Sequence, residues 1–178
     1  MKLPAEYRWL SDEDGPRILL EFLKIYGTTE APGIKNNPKI MAWAKRVGLD
    51  AVYTADSIPF CGLGMAYVAL QAGWDVPINP LWARNWLKWG TPINKEDAML
   101  GDVLVFERGN AGHVGVYVGE NKLFFSVLGT NQNDSTNIKF IEKSRCLGVR
   151  RCPWRVDQPS SVRKVLVTSR GEISRNEA

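Results

Sequence analysis

The amino-acid sequence predicts an α+β protein in which helices come first and a segregated antiparallel sheet follows. Before Gly101, apolar residues recur at helical spacing in segments bounded by Pro or Gly. After Gly101 the segments become short and rich in Val, Ile and Phe, and Gly, Asn and Asp separate them. That pattern is typical of strands joined by hairpins. Helices followed by strands predict an α+β domain with the sheet on one side.

The helical half contains four predicted segments. The first two cover 16–26 and 38–47, each opening at a Pro and stopping before a Gly. A third helix opens at 56–59, where Asp56 or Ser57 is expected to cap it and Pro59 suits its first turn, and it runs to Gly73. A shorter helix follows, and Trp82, Trp86 and Trp89 lie on about one of its faces.

The sheet half contains five predicted strands, at 102–106, 113–119, 122–128, 137–141 and 147–152. Residues 1–15 resemble a loose arm, residues 16–155 form one domain, and residues 156–178 form a C-terminal edge strand or tail.

Composition sets the class of protein. The chain has 178 residues, 44% hydrophobic and 24% charged, which suits one globular domain with its own core. The net charge of +4 favours approach to an anionic surface such as a cell wall, whereas the absence of a basic run argues against nucleic acid as a partner. No apolar stretch is long enough for an integral membrane segment.

The N-terminus is acidic and contains Pro4 and Pro16, so it does not resemble a signal peptide. We therefore expect synthesis in the cytoplasm, followed by release through a permeabilised membrane or by dedicated export.

Three cysteines, Cys61, Cys146 and Cys152, are an odd number and lack C-x-x-C spacing. A single histidine does not complete a Cys/His zinc site, so we expect no metal and no cofactor. At least one cysteine is then a free thiol. Structural burial is the expected role of Cys146 and Cys152, which have no histidine near them in sequence.

Cys61 is the candidate nucleophile, because it lies in the first turn of a predicted helix. A helix N-terminus lowers the pKa of a thiol, and its free N–H groups can form part of an oxyanion hole. Gly62 and Gly64 follow and allow close approach of other chain segments. The alternative is that Cys61 is simply a small buried apolar residue.

His113 is the only histidine in the chain and begins a predicted strand after a Gly-rich turn. Alternation places it on the face opposite Val114, Val116 and Val118. A helix-borne cysteine with a strand-borne histidine is an arrangement for nucleophilic catalysis, in which the histidine is the general base. The alternative is a structural histidine bonded to backbone.

A third polar group should fix the tautomer of the imidazole. The segment after the next strand offers Asn131, Gln132, Asn133 and Asp134. Asn131 is the first choice, Gln132 or Asn133 the next, and an ordinary Asn/Asp turn the competing interpretation.

These segments together resemble a known family. PFCGLGMAYVALQAG, PLWARNWLKWG, GDVLVFERGNAGHVGVYVGE, LGTNQNDSTNI and SRCLGVRRC, in this order, are similar to the NlpC-type and CHAP-type cell-wall peptidases found largely in phages and prophages. The resemblance covers about residues 16–155 and implies a papain-like fold. By this resemblance Cys61 is the nucleophile, His113 the base and Asn131 the third member of the triad.

Three departures from the family accompany the resemblance. Phe60 stands where Trp is usual, Gly62 stands where Ser is usual and is expected to widen the site, and the third position is an amide.

The implied activity is hydrolysis of an amide bond in the stem peptide of bacterial peptidoglycan, by an endolysin or by a secreted antibacterial effector. A non-catalytic wall-binding or phage structural protein with the same fold is the alternative. Trp82, Trp86 and Gln132 are candidate substrate contacts, although tryptophans at helical spacing are more often core. Amidase and endopeptidase activity use the same residues, and the oligomeric state is open, with a monomer expected.

Overall fold

The computed structural model describes residues 3–154 and 156–168, and it has mixed α+β architecture with a six-stranded antiparallel sheet. The α-helices are α1 (Arg17–Lys24), α2 (Pro38–Val47) and α3 (Cys61–Gln71). The strands are β1 (Thr91–Ile93), β2 (Val103–Arg108), β3 (Ala111–Glu120), β4 (Phe124–Gly129), β5 (Asn137–Glu142) and β6 (Cys146–Arg151). Single or double turns of 3-10 helix cover Ala5–Asp12, Ala83–Lys88, Lys95–Asp97 and Lys143–Arg145.

The sheet order is β1-β6-β2-β3-β4-β5, with β2 to β5 forming a meander and β6 returning beside β2. The five predicted strands are all present. The short strand β1 at the sheet edge was not predicted, because TPI is too short and too polar to stand out from the loop around it.

Local signals account for the bounds of α2. The Asn37 side chain accepts a hydrogen bond of 2.8 Å from the Lys39 N–H, and Pro38 occupies the first turn. Gly48 ends the helix with φ of 76°, a left-handed conformation that glycine adopts without steric cost.

The start of α3 differs from the prediction, because Asp56 does not cap it. The helix begins at Cys61 after Phe60, which makes no capping hydrogen bond. The buried carboxylate of Asp56 instead accepts from the N–H groups of Ala31 and Asn37 at 2.8 and 2.7 Å. Asp56 therefore anchors the loop between α1 and α2 rather than the helix that follows it.

Strand residues divide between two apolar layers by strict alternation. Helix α3 covers one face, with α1 and α2 packed against α3, and the buried side chains of that face are Val103, Val105, Val114, Val116, Val118 and Leu128. The opposite face carries a smaller cluster, Leu104, Phe106, Tyr117, Phe125, Val127 and Ile141. His113 has the parity of Tyr117, as predicted, so its side chain belongs to the face opposite the valines.

The predicted loose arm at residues 1–15 is packed against the domain. Leu3, Tyr7 and Leu10 are buried in the main core, and the Tyr7 hydroxyl accepts a 2.7 Å hydrogen bond from Ser126 Oγ on β4. The expectation of looseness was wrong because these three residues supply one apolar side to a segment that is otherwise charged.

The C-terminal segment forms an isolated parallel bridge, in which Leu166 pairs with Glu120. The Glu120 N–H donates to Val165 O at 2.8 Å, so the segment lies along the part of β3 that extends beyond β2. The predicted tail from 169 to 178 lies outside the described residues. Within 3–154 and 156–168, no helix combines the length and apolar character needed to cross a membrane.

Candidate active site

Cys61 begins α3 at the edge of β3, just past the end of β4. The Tyr117 N–H donates to Asp102 O at 2.8 Å on the β2 side. Successive residues of a strand direct their N–H groups to opposite sides, and Val114 is three positions before Tyr117. Val114 therefore directs its N–H to the β4 side, beyond the first β3–β4 pair at Val116 and Leu128. That N–H group faces the sulfur of Cys61.

Two glycines allow the first turn of α3 to be packed closely. A Cβ atom on Gly62 would collide with the carbonyl oxygens of Pro80 and Leu81, and one on Gly64 would collide with the side chain of Thr130. Thr130 Oγ1 in turn donates to Phe60 O at 2.9 Å. The expectation that Gly62 widens the site was wrong, because the space that a side chain would need is filled by backbone.

Burial raises the pKa of the Cys61 thiol. The side chain is 4% exposed, and desolvation disfavours the thiolate. The N–H groups of Val114 and Gly62 and the positive charge of Arg108 act in the opposite direction, but burial is the larger effect. The N–H groups at the start of α3 thus lower the pKa as predicted, but burial outweighs them, so the net pKa is raised and the neutral thiol is favoured.

His113 is fully buried and pairs across the sheet with Phe106 of β2. Its Nε2 atom lies 3.2 Å from Gln132 Oε1. The Gln132 Nε2 group donates to Asn137 O at 2.8 Å and to Asn137 Oδ1 at 3.1 Å, with longer contacts to the carbonyls of Val127 and Gly129.

This network determines the tautomer of the imidazole. Because the amide nitrogen of Gln132 is surrounded by carbonyl oxygens, its oxygen is the atom directed at His113, and that oxygen can only accept. The Nε2 atom of His113 must then donate, and the neutral ring carries its lone pair on Nδ1. Nδ1 is therefore the ring nitrogen with the chemistry of a proton acceptor.

Asn131, the first choice from sequence, is buried, but the imidazole contact is made by Gln132. Asn131, Asn133 and Asp134 have φ of 60°, 52° and 54°, so they form the turn that the competing interpretation described. These left-handed residues rotate the chain after β4 and bring the longer Gln132 side chain to the ring.

Gly129 is the one sequence signal that marks this contact. A Cβ atom there would lie 3.0 Å from Gln132 Oε1 and 3.1 Å from His113 Nε2. A side chain at position 129 would therefore press on the hydrogen bond between Gln132 and His113.

The tryptophans separate into two groups. Trp86 is fully buried and its Nε1–H donates to Pro80 O at 3.0 Å, so it supports the loop beside Gly62 and does not reach a substrate. The assignment of Trp86 as a substrate contact was therefore wrong. Trp82 is 68% exposed on the same loop and remains a candidate contact.

Cys146 and Cys152 are buried, Cys146 in the smaller apolar cluster and Cys152 in the main core. Burial raises the pKa of Cys146 to about 11 and that of Cys152 to about 12. All three cysteines are free thiols. In the described part of the chain, no three His, Cys, Asp or Glu side chains form a group that could hold a metal ion.

Compared with models of protein families and with curated proteins, the chain matches none.

Proposed function

We propose that the protein is a papain-like cysteine peptidase or amidase that hydrolyses an amide bond in the stem peptide of bacterial peptidoglycan. One observation supports the proposal: Gln132 holds the imidazole of His113 on β3, the same strand whose Val114 N–H group interacts with the Cys61 thiol at the start of α3. A nucleophile, a base and a residue that orients the base are thus contributed by α3, β3 and the turn after β4.

The reaction begins from a neutral thiol and a neutral imidazole. Cys61 Sγ attacks the carbonyl carbon of the substrate while its proton passes to His113 Nδ1. The N–H groups at the start of α3 stabilise the oxyanion, and Gln132 stabilises the imidazolium through Nε2. The imidazolium then protonates the leaving amine, and water activated by His113 hydrolyses the thioester.

The sequence resemblance supports peptidoglycan as the substrate, and the net charge of +4 favours approach to an anionic wall. We propose an endolysin-like lytic enzyme that acts on the wall from a permeabilised cell, with a delivered antibacterial effector as the alternative. The scissile bond lies either between the lactyl group and L-Ala or within the stem peptide.

Digestion of purified peptidoglycan tests this function. Wild-type protein should release fragments with a new amine terminus, which mass spectrometry assigns to one of the two bonds. Cys61→Ala removes the nucleophile and little volume, so it should fold normally and release nothing. Full activity of Cys61→Ala would contradict the nucleophile assignment.

The burial of Cys61 favours a second candidate, a non-catalytic wall-binding protein with the same fold. Pull-down of insoluble peptidoglycan separates the two: binding without release of fragments, together with a thiol no more reactive than Cys146 and Cys152, would support the second.

A further inference from the structure

Arg108 ends β2 beside the candidate site. In the register of the β2–β3 hairpin, Phe106 pairs with His113 and Arg108 pairs with Ala111. Arg108 therefore lies on the same face as His113 and is its diagonal neighbour, a relation that separates residues by roughly 7–8 Å.

Arg108 is partly exposed, and within 3–154 and 156–168 no hydrogen bond or ion pair joins its guanidinium to another residue. Its nitrogen atoms are not among the buried polar atoms that lack a partner, so the guanidinium is accessible to an anion from solution. Its charge acts on Cys61, where it favours the thiolate over the thiol. The charge therefore lies on the face of His113 and acts on the Cys61 thiol.

The rest of the hairpin does not neutralise this charge. Arg84 donates from Nε to Ala111 O at 2.8 Å and from Nη2 to Gly109 O at 3.1 Å, so it bonds to uncharged carbonyls and adds a second positive charge. Glu107, the nearest acidic residue in sequence, is exposed and has the opposite parity on β2.

We propose that Arg108 binds a carboxylate of the substrate beside the scissile amide, so that the enzyme prefers stem peptides with a free carboxylate to those in which it is amidated. This inference rests on the proposed function and names the substrate class of the same site. A guanidinium presents paired N–H donors that match a carboxylate, whereas a carboxamide accepts through one oxygen only and carries no charge.

Two stem peptides that differ only in a free carboxylate or its carboxamide test the preference. We expect wild-type protein to favour the carboxylate by about 10- to 100-fold in kcat/KM, the range of a charge-assisted hydrogen bond. Arg108→Gln should reduce this ratio to within about 3-fold, and Arg108→Lys should keep part of it. Arg8→Gln is the matched control, because Arg8 is exposed and lies 100 residues from Arg108 in the sequence. An unchanged ratio in Arg108→Gln would overturn the proposal.

A second measurement does not need hydrolysis. Iodoacetate and iodoacetamide alkylate the same thiolate but differ in charge, so the ratio of their rates at Cys61 reports local potential and cancels the thiolate fraction. For an assumed separation of about 7 Å between the guanidinium and the carboxylate of iodoacetate, one positive charge changes the ratio by about 3-fold at the dielectric of water and about 50-fold at an effective dielectric of about 20. Arg108→Gln should lower the ratio by an amount in this range, and Arg8→Gln should not.

The two measurements distinguish a failure of the proposed hydrolase function from a failure of the proposed anion site. If no peptide is cleaved but the alkylation ratio falls in Arg108→Gln, the hydrolase function fails while the anion site stands. If peptides are cleaved but neither ratio responds to Arg108→Gln, the anion site fails alone. Failure of both reagents to modify Cys61 in the folded protein would overturn the anion site too, because no anion then reaches the thiol.

Discussion

Replacing Gln132 by Ala is the most informative perturbation of the candidate triad. The substitution removes the acceptor from His113 Nε2 and the donor from the carbonyl of Asn137, while leaving Cys61 and the imidazole in place. If Gln132 orients the ring, turnover on soluble wall fragments should fall by about 10- to 1,000-fold, less than the near-complete loss expected for His113→Ala.

The structure also defines the cost in stability. Gln132 is fully buried, and its amide makes one contact of 2.8 Å and several longer ones. Loss of these bonds leaves buried polar groups unsatisfied at about 1–3 kcal/mol each, so a total of about 2–4 kcal/mol is expected. For a chain of this size each kcal/mol lowers Tm by about 2–4 °C.

Asn131→Gly is the matched control. Asn131 has φ of 60°, so Ala at that position would introduce backbone strain, whereas Gly keeps the left-handed conformation and removes only the side chain. We expect Asn131→Gly to retain turnover within about 3-fold of the wild-type value, because its side chain is not the one in contact with the imidazole.

The pH dependence separates positioning from a general loss of structure. The Gln132 oxygen favours the protonated ring, so its removal should move the acid limb of the kcat profile to lower pH. Rates should be measured below Tm after circular dichroism has confirmed the fold. If Gln132→Ala keeps the turnover of the wild type while Asn131→Gly loses most of it, Asn131 and not Gln132 orients the imidazole. Wild-type turnover in both variants would indicate that Cys61 and His113 act as a dyad without a third residue.

Four further outcomes follow from the structure. Gly129→Ala should reduce turnover by about 10-fold or more, because its methyl group would press on the contact between Gln132 and the imidazole. Its loss of stability should be smaller than that of Gln132→Ala, and kinetics and thermal melts on the same preparation check both. Alkylation of Cys61 should still accelerate above pH 9.0, the ordinary thiol pKa, because burial raises its pKa; a plateau below pH 8 would indicate a resting ion pair instead. Cys146→Ala and Cys152→Ala should keep activity and lose about 1–2 kcal/mol of stability in urea unfolding. EDTA should leave lysis unchanged while iodoacetamide abolishes it, and inhibition by EDTA that added zinc reverses would refute a cysteine mechanism.

Much of the fold could be predicted because its signals are local. Pro38 and Gly48 bound α2 at the residues expected, and the alternation of Val114, Val116 and Val118 gave the correct faces of β3. The start of α3 was harder, because Asp56 has the residue type of a cap but is used to hold the loop between α1 and α2. A cap residue and a loop anchor look alike in sequence, since both accept hydrogen bonds from backbone N–H groups.

The candidate site divides in the same way. The sequence by itself determined that Cys61 lies in the first turn of a helix and that His113 lies near the start of a strand, on the face opposite the valines, because both follow from short-range pattern. Only the tertiary structure decided that Gln132 meets the imidazole, that burial outweighs the helix N-terminus at Cys61, and that Arg108 lies on the face of His113. The first two depend on segments distant in sequence, and on three left-handed turn residues whose φ the residue types permit but do not require.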